Sequence, residues 1–228
     1  MGFAVLPALV PDISAVYDVY FAAFKHNAVT RALFPSATEA DLTDAKSEFR
    51  QGHTAHVSSY WSTSTSQYTL KCVDTSTNSI IGMALWDVYI SPSDWKKAEI
   101  SWLQGKERER AEGLITPLWE MREKLWRNEK YIYCHVIAVH PYFQQKGVGE
   151  MLFRFGMGIA QQTRLPIYIE SSKEAVRLYE KMGCRRLKER VVHTSEEPNG
   201  AKEDQEVALF VWISEGGDGT LPGAVKLA

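Results

Sequence analysis

The stretch Val139–Leu152, VHPYFQQKGVGEML, sets two glycines one residue apart after an apolar run and before a second apolar pattern. A strand that runs into a glycine turn and then a helix aims the first N–H groups of that helix at one spot. Those donors have no acceptor inside the helix and the positive end of its dipole lies there, so the turn suits an anion. Gly147 and Gly149 remove the Cβ atoms that would hold a ligand off the backbone, and Lys146 adds a positive charge. Two phosphate signatures are excluded by residue type. G-x-x-x-x-G-K-[ST] needs a Gly-Lys-Ser/Thr that is absent, and G-x-G-x-x-G needs a small third residue where Leu152 stands. By itself the turn remains either a cradle for some other anion or a turn serving only the chain. Before it, YIYCHVIAV places Tyr133, His135, Ile137 and Val139 on one face of a strand. Histidine is the side chain whose ordinary titration range spans neutrality, so His135 fits a base acting through water and equally a hydrogen-bonded core histidine. His53 and His56 have no carboxylate partner at ligand spacing and read as helix surface, so no metal site is expected.

The elements that must hold these residues follow from periodicity. FAVLPAL is a strand, and Pro11-Asp12 opens a helix with Ile13, Val16, Tyr17, Tyr20 and Phe24 on one side. A second helix is predicted from Glu39 to about Tyr60, ended by the STSTS cluster. QYTLKCV and SIIGMALWDVYI form an antiparallel hairpin across DTSTN. The polar stretch 91–113 reads as a solvated connection, and Leu114, Leu118, Met121 and Leu125 mark a helix near 114–127. The central apolar strand follows, then a helix carrying Val148, Met151, Leu152, Phe155 and Ile159, the strand LPIYIES, and a helix ended by Gly183. RRLKERVVHT and EVALFVWIS close the order as two strands. This is an α/β (α+β) pattern around one sheet with a central β-α-β crossover.

Composition supports one globular domain over 1–215, followed by a Gly-rich tail from 216 to 228 that is expected to be mobile. The 228 residues are 45% hydrophobic, enough for one core, and a net charge of −2 argues against a general nucleic-acid binder. No apolar run approaches the roughly 20 residues of a membrane span. The start lacks a basic segment before its apolar residues, and Leu6 stands where a myristoylation signal needs Ser or Thr. Cys72, Cys134 and Cys184 are few, odd in number and far apart, which fits a reducing compartment and makes a cytoplasmic location the expectation.

VIAVHPYFQQKGVGEMLF resembles the acetyl-CoA-binding segment of the GCN5-related N-acetyltransferases, with their signature Q/R-x-x-G-x-G/A after a strand ending in V-x-P. Gln144, Gly147 and Gly149 fill the first pattern, and Val139-His140-Pro141 the second. AVRLYEKMGC resembles the later motif A-x-x-L-Y-x-x-x-G-F through Ala175, Leu178, Tyr179 and Gly183, with Cys184 in place of the aromatic. The resemblance is close over about 130–190, and before that only in the order of elements. It implies a mixed, mostly antiparallel sheet of about six to seven strands, helices on both faces, and acetyl-CoA as co-substrate without a metal. The backbone of Ile137, Ala138 and Val139 is then expected along the pantetheine. Gln144, Gln145, Lys146, Gly147, Val148, Gly149 and Glu150 are expected at the pyrophosphate, with the Glu150 side chain turned away.

The same resemblance implies acyl transfer from a thioester to an amine, which needs a base for the ammonium, an acid for the thiolate and donors for the oxyanion. YCHVIAVHP is similar to the matching strand of the arylalkylamine N-acetyltransferases, where two histidines two residues apart relay the proton. His135 matches the second and Tyr133 replaces the first. Tyr179 matches the family's acid and could equally be a packing residue. Glu170 could be a base or bind the amine, and Ser172 is expected to cap the following helix or touch the pantetheine. Of the aromatics Phe21, Phe24, Phe34, Trp61, Trp86 and Tyr89, those outside the core would favour a small aromatic or alkyl amine. An acetyltransferase of protein N-termini or lysines, and a non-catalytic acyl-CoA-binding module, are the alternatives. The expected partners are a small-molecule amine, no nucleic acid and no membrane, with the chain a monomer or homodimer.

Overall fold

Strand-forming and helix-forming segments alternate along the chain as β1 (Phe3–Pro7), α1 (Ile13–Phe24), α2 (Ala28–Leu33), α3 (Glu39–Thr43), α4 (Glu48–Thr63), β2 (Gln67–Asp74), β3 (Ser79–Tyr89), α5 (Gly105–Trp126), β4 (Tyr131–Val139), α6 (Val148–Thr163), β5 (Ile167–Ser171), α7 (Val176–Lys181), β6 (Arg185–Glu196) and β7 (Lys202–Trp212). The computed structural model describes residues 2–196, 202–214 and 221–228. Two compact units divide the chain: Met1–His26, Ser36–Val88 and Cys134–Gly158 make one, and Asn27–Pro35, Tyr89–Tyr133 and Ile159–Ala228 make the other.

In the first unit β1, β2, β3 and the C-terminal part of β4 are neighbours in that order. β1–β2 and β2–β3 are antiparallel, the second pair with a register shift at Cys72/Val73. Glycines set how closely α6 lies on this sheet. A Cβ on Gly82 of β3 would come within 2.7 Å of Val148 Cγ1, and one on Gly156 of α6 within 2.4 Å of the Trp86 ring. Trp86 and Phe153 are fully buried with ring centroids 5.8 Å apart, and a buried Phe contributes roughly 3 kcal/mol. The start of α6, and with it the glycine turn, is thereby fixed against β3. Arg50 of α4 is fully buried and ties the helical layer together. It donates to Asp18 Oδ1 at 2.6 Å and to the carbonyls of Ser14 and Leu42.

In the second unit the N-terminal part of β4 is followed by β5, β7 and β6. β5–β7 and β7–β6 are antiparallel, with a register shift between Arg186 and Arg190. The core here is aromatic: Tyr89, Trp126, Tyr131, Tyr133 and Tyr168 pack with Leu125, Leu187, Leu209 and Val211. A second cluster seats α2 on α5 through Ala32, Ala111, Leu114 and Ile115. The mixed, mostly antiparallel sheet flanked by helices matches the architecture read from the sequence.

Local structure departs from expectation in four places. The helix predicted from Glu39 to Tyr60 is two helices, because Asp44 turns extended and the Ser47 hydroxyl caps a new start at the Arg50 N–H, 3.1 Å away. α2 was not foreseen; Asn27 caps it by accepting from the Val29 N–H at 2.9 Å. The last part of the supposed solvated connection, from Gly105 on, is the first part of α5, where strong helix formers and the Arg108–Glu112 pair at 2.7 Å carry the helix back to Gly105. Of the tail expected to be mobile, residues 216–220 lie outside the described residues, while over 221–228 Val225 is buried in the aromatic cluster and Leu227 bridges to Leu187. Among the described residues no helix is long and apolar enough to cross a membrane, and no group of three His, Cys, Asp or Glu could hold a metal ion.

Candidate active site

The glycine turn is built by anchoring both its ends. At the strand end, the His140 N–H donates to the Ile81 carbonyl at 2.9 Å, and the Gln144 amide donates to the Val139 carbonyl at 3.2 Å. A short 3-10 turn at Pro141–Phe143 follows, and the Phe143 ring meets Phe3 of β1 edge-on at 6.4 Å. Gln145 and Gly147 both sit in the left-handed region, at φ 59° and 83°. Alternation of such residues gathers successive N–H groups into a concave nest for anions. A Cβ on Gly147 would meet no atom within 4 Å, so space lies open over the turn. Lys146 holds its ammonium 4.9 Å from the Phe143 ring centroid. The first N–H groups of α6 add donors at the positive end of a helix dipole. This chemistry fits a pyrophosphate. His135, on the strand leading here, has a side chain 45% exposed, with Nδ1 3.9 Å from a carboxylate oxygen of the buried Asp87 on β3.

A separate constellation lies in the second unit. The Tyr133 hydroxyl of β4 donates to Glu170 Oε2 at 2.7 Å, and the Tyr168 hydroxyl donates to Oε1 at 3.1 Å. Glu170 keeps part of its surface, but withdrawal of its carboxylate from water pushes its pKa up to about 7. The two phenol donors and the positive charge of Arg122 pull the other way without cancelling that burial. Tyr168 is held well above its ordinary pKa by its own burial and by the Glu170 charge, so it remains a neutral donor. The result is a carboxylate poised to take a proton near pH 7. Tyr179 of α7 is buried, with its ring centroid 6.1 Å from that of Phe210 on β7. Its helix stops one turn later at Gly183 (φ 79°), where Cys184 N–H bonds back to the Tyr179 carbonyl and Gly183 N–H to that of Glu180.

Residues 34–184, which contain the turn and all four candidate catalytic residues, match the acetyltransferase (GNAT) family. This chain belongs to that family. It is 26% identical over 117 residues to the probable acyltransferase SID5 of Ajellomyces capsulatus, a match covering 50% of this chain and 80% of the relative. Among solved structures it is similar to the C-terminal condensation domain of Ebony, in complex with beta-alanyl-dopamine. That likeness has a TM-score of 0.61 at 14% identity, covering 94% of this chain and all (100%) of the other. yncA of Salmonella typhimurium, solved with its cofactor acetyl-CoA, gives a TM-score of 0.53 at 14% identity, covering 96% and 99% of the two chains.

For this GNAT chain, the structure joins Tyr133 to Glu170 and leaves His135 facing Asp87. Asp87, Arg122 and Tyr168 went unnoticed in the sequence, though each carried a signal. Asp87 interrupts the apolar run MALWDVY, Arg122 sits four residues from both Leu118 and Trp126 on the buried side of α5, and Tyr168 shares a strand face with Glu170. Ser172 does not cap α7, which starts at Val176 with no side-chain cap; its carbonyl instead accepts from the Ser171 hydroxyl and the Ala175 N–H. His53 is half-buried rather than fully on the helix surface: it packs on Tyr17, Phe21 and Phe49, and burial lowers its pKa to about 4. Of the aromatics considered for the acceptor, Phe21 and Trp86 are fully buried and Tyr89 nearly so, while Phe24, Phe34 and Trp61 retain surface.

Proposed function

We propose that this chain transfers the acetyl group of acetyl-CoA to a small primary amine, aromatic or alkyl, by direct attack in a ternary complex. Acetyl-CoA supplies an acyl group activated as a thioester. The N–H groups of Gln145 through Gly149, with Lys146, bind its pyrophosphate, and the backbone of Ile137–Val139 lies along its pantetheine. The observation that carries the reading is the Glu170 carboxylate, gripped by two phenols and tuned to about 7. An alkylammonium near pKa 10 must lose a proton before it attacks. Glu170 takes that proton, Tyr133 holds the carboxylate in place, and His135 relays protons with Asp87 behind it. As the new C–N bond forms and the C–S bond breaks, the Tyr179 hydroxyl gives the departing sulfur its proton. The likeness of the central strand to arylalkylamine N-acetyltransferases supports an arylalkyl acceptor.

Two measurements test this function. Acetyl-CoA should raise the melting temperature, and a panel of aryl and alkyl amines should release free CoA thiol with acetylated amine identified by mass. No thermal shift would remove the acetyl-CoA reading. A shift with no turnover on any amine would leave a binding module instead.

A further inference from the structure

Arg122 is a guanidinium taken almost wholly out of water, with 3% of its surface exposed. Its surroundings are rings. Cζ lies 3.9 Å from the Tyr133 centroid, 4.4 Å from Trp95, 5.6 Å from Tyr131 and 5.7 Å from Tyr89. Its Nε donates to the Tyr131 hydroxyl at 2.8 Å and Nη2 to the Tyr89 hydroxyl at 3.2 Å. The rings support one another in a continuous stack. Tyr89 lies on Tyr131 at 5.1 Å, Tyr131 on Trp126 at 4.8 Å, Trp126 on Tyr168 at 5.4 Å and Tyr168 against Tyr133 at 5.8 Å. Both ends of this stack meet the guanidinium, and its Tyr133 and Tyr168 end also grips Glu170.

We infer that Arg122 is the positioning residue of the Glu170 site, fixing the Tyr133 ring on its guanidinium face so that the phenol meets the Glu170 carboxylate. This rests on the reading of Glu170 as the base. A cation over the face of a phenol draws density from its oxygen and makes the O–H a better donor to the carboxylate. The same charge, in an environment poor in water, acts on the carboxylate with little screening. The groups that face Glu170 are Arg122 from α5, Tyr133 from β4 and Tyr168 from β5, while β7 sets apolar Leu209 opposite it. Arg122 is therefore the only cation among these four, and burial keeps the Tyr168 phenol neutral. Loss of the charge favours the protonated acid, so the titration must move upward. Lysine preserves the charge but cannot reach two phenols with a planar fork.

The test reads Glu170 directly, without a substrate. In pH-difference infrared spectra the carboxylic C=O band of Glu170 is identified by its disappearance in Glu170→Gln. Its midpoint should rise by about one pH unit in Arg122→Met and stay near the wild-type value in Arg122→Lys. With acetyl-CoA and 2-phenylethylamine, the acidic limb of kcat/KM should move by the same amount in Arg122→Met, whereas Arg122→Lys lowers kcat without moving the limb. A folded Arg122→Met whose band midpoint does not move overturns the inference. Should Arg122→Met fail to fold, a displaced midpoint in Arg122→Lys overturns it and an unmoved one supports it. Failure of the base reading looks different: Glu170→Gln would then turn over at the wild-type rate whatever the Arg122 variants do to the band.

Discussion

The glycine turn and the tyrosine–glutamate cluster solve their problems with different parts of the chain. The turn works through the backbone: Gln145 and Gly147 in the left-handed region, a helix start fixed by Gly82 and Gly156, and a lysine resting on Phe143. The cluster works through side chains from three elements, with Glu170, Tyr133, Tyr168 and Arg122 in mutual support. In the proposed function the first would bind charge by geometry and the second would tune a proton by burial. Damage to each should consequently show in a different measurement. Changes in the turn should alter acetyl-CoA affinity and leave the pH profile alone, and changes in the cluster should do the reverse.

The largest effect is expected for Glu170→Gln, which keeps shape and hydrogen-bond acceptor but cannot take the proton. Turnover at pH 7.5 should fall by about 10²- to 10⁴-fold, read by thiol release, with acetyl-CoA affinity unchanged. Because the variant has no carboxylate to bury as pH rises, its melting temperature at pH 8 should equal or exceed the wild-type value. Next comes Gly156→Ala, whose Cβ would fall within 2.4 Å of the Trp86 ring. That overpacking should cost about 1–3 kcal/mol, measured by denaturant unfolding, and loosen the turn's support. Tyr133→Phe should lower kcat/KM by roughly tenfold, the value of one hydrogen bond to a charged group. It should also move the acidic limb upward, since a donor that favours the carboxylate is gone. The smallest change is Gly147→Ala: at φ 83° a Cβ is strained, so stability should drop by about 1 kcal/mol and the acetyl-CoA thermal shift should shrink. A Gly147→Ala enzyme with an altered pH profile, or a Tyr133→Phe enzyme with altered acetyl-CoA affinity alone, would break the contrast between the two regions.

How much was legible in the sequence follows the same division. The turn could be located because backbone devices leave local marks: glycines at fixed spacing, a proline ending the strand, an apolar helix stripe after it; its ligand came only from the family resemblance. The sheet and its crossover followed from periodicity for the same reason. The short helices and the extension of α5 to Gly105 escaped, because their signals are single caps at Asn27 and Ser47 and an ion pair at Arg108–Glu112 rather than apolar rhythm. Glu170 and Tyr133 could be nominated singly, but their bond joins residues 37 apart in sequence. Arg122 was hidden by its type, since a charged residue on a helix ordinarily reads as solvated. The docked end of the tail was obscured by its glycines, although Leu221, Val225 and Leu227 offered the apolar anchors.

If Glu170 is the base and its surroundings bring it to neutrality, the pH dependence of the unmodified protein must show it. With acetyl-CoA saturating and 2-phenylethylamine or the best amine of the panel as acceptor, kcat/KM should rise as pH passes through about 7, because only the ionised carboxylate accepts a proton. That limb should vanish in Glu170→Gln. A limb at the same position in both proteins would assign the titration to another group and remove Glu170 as the base.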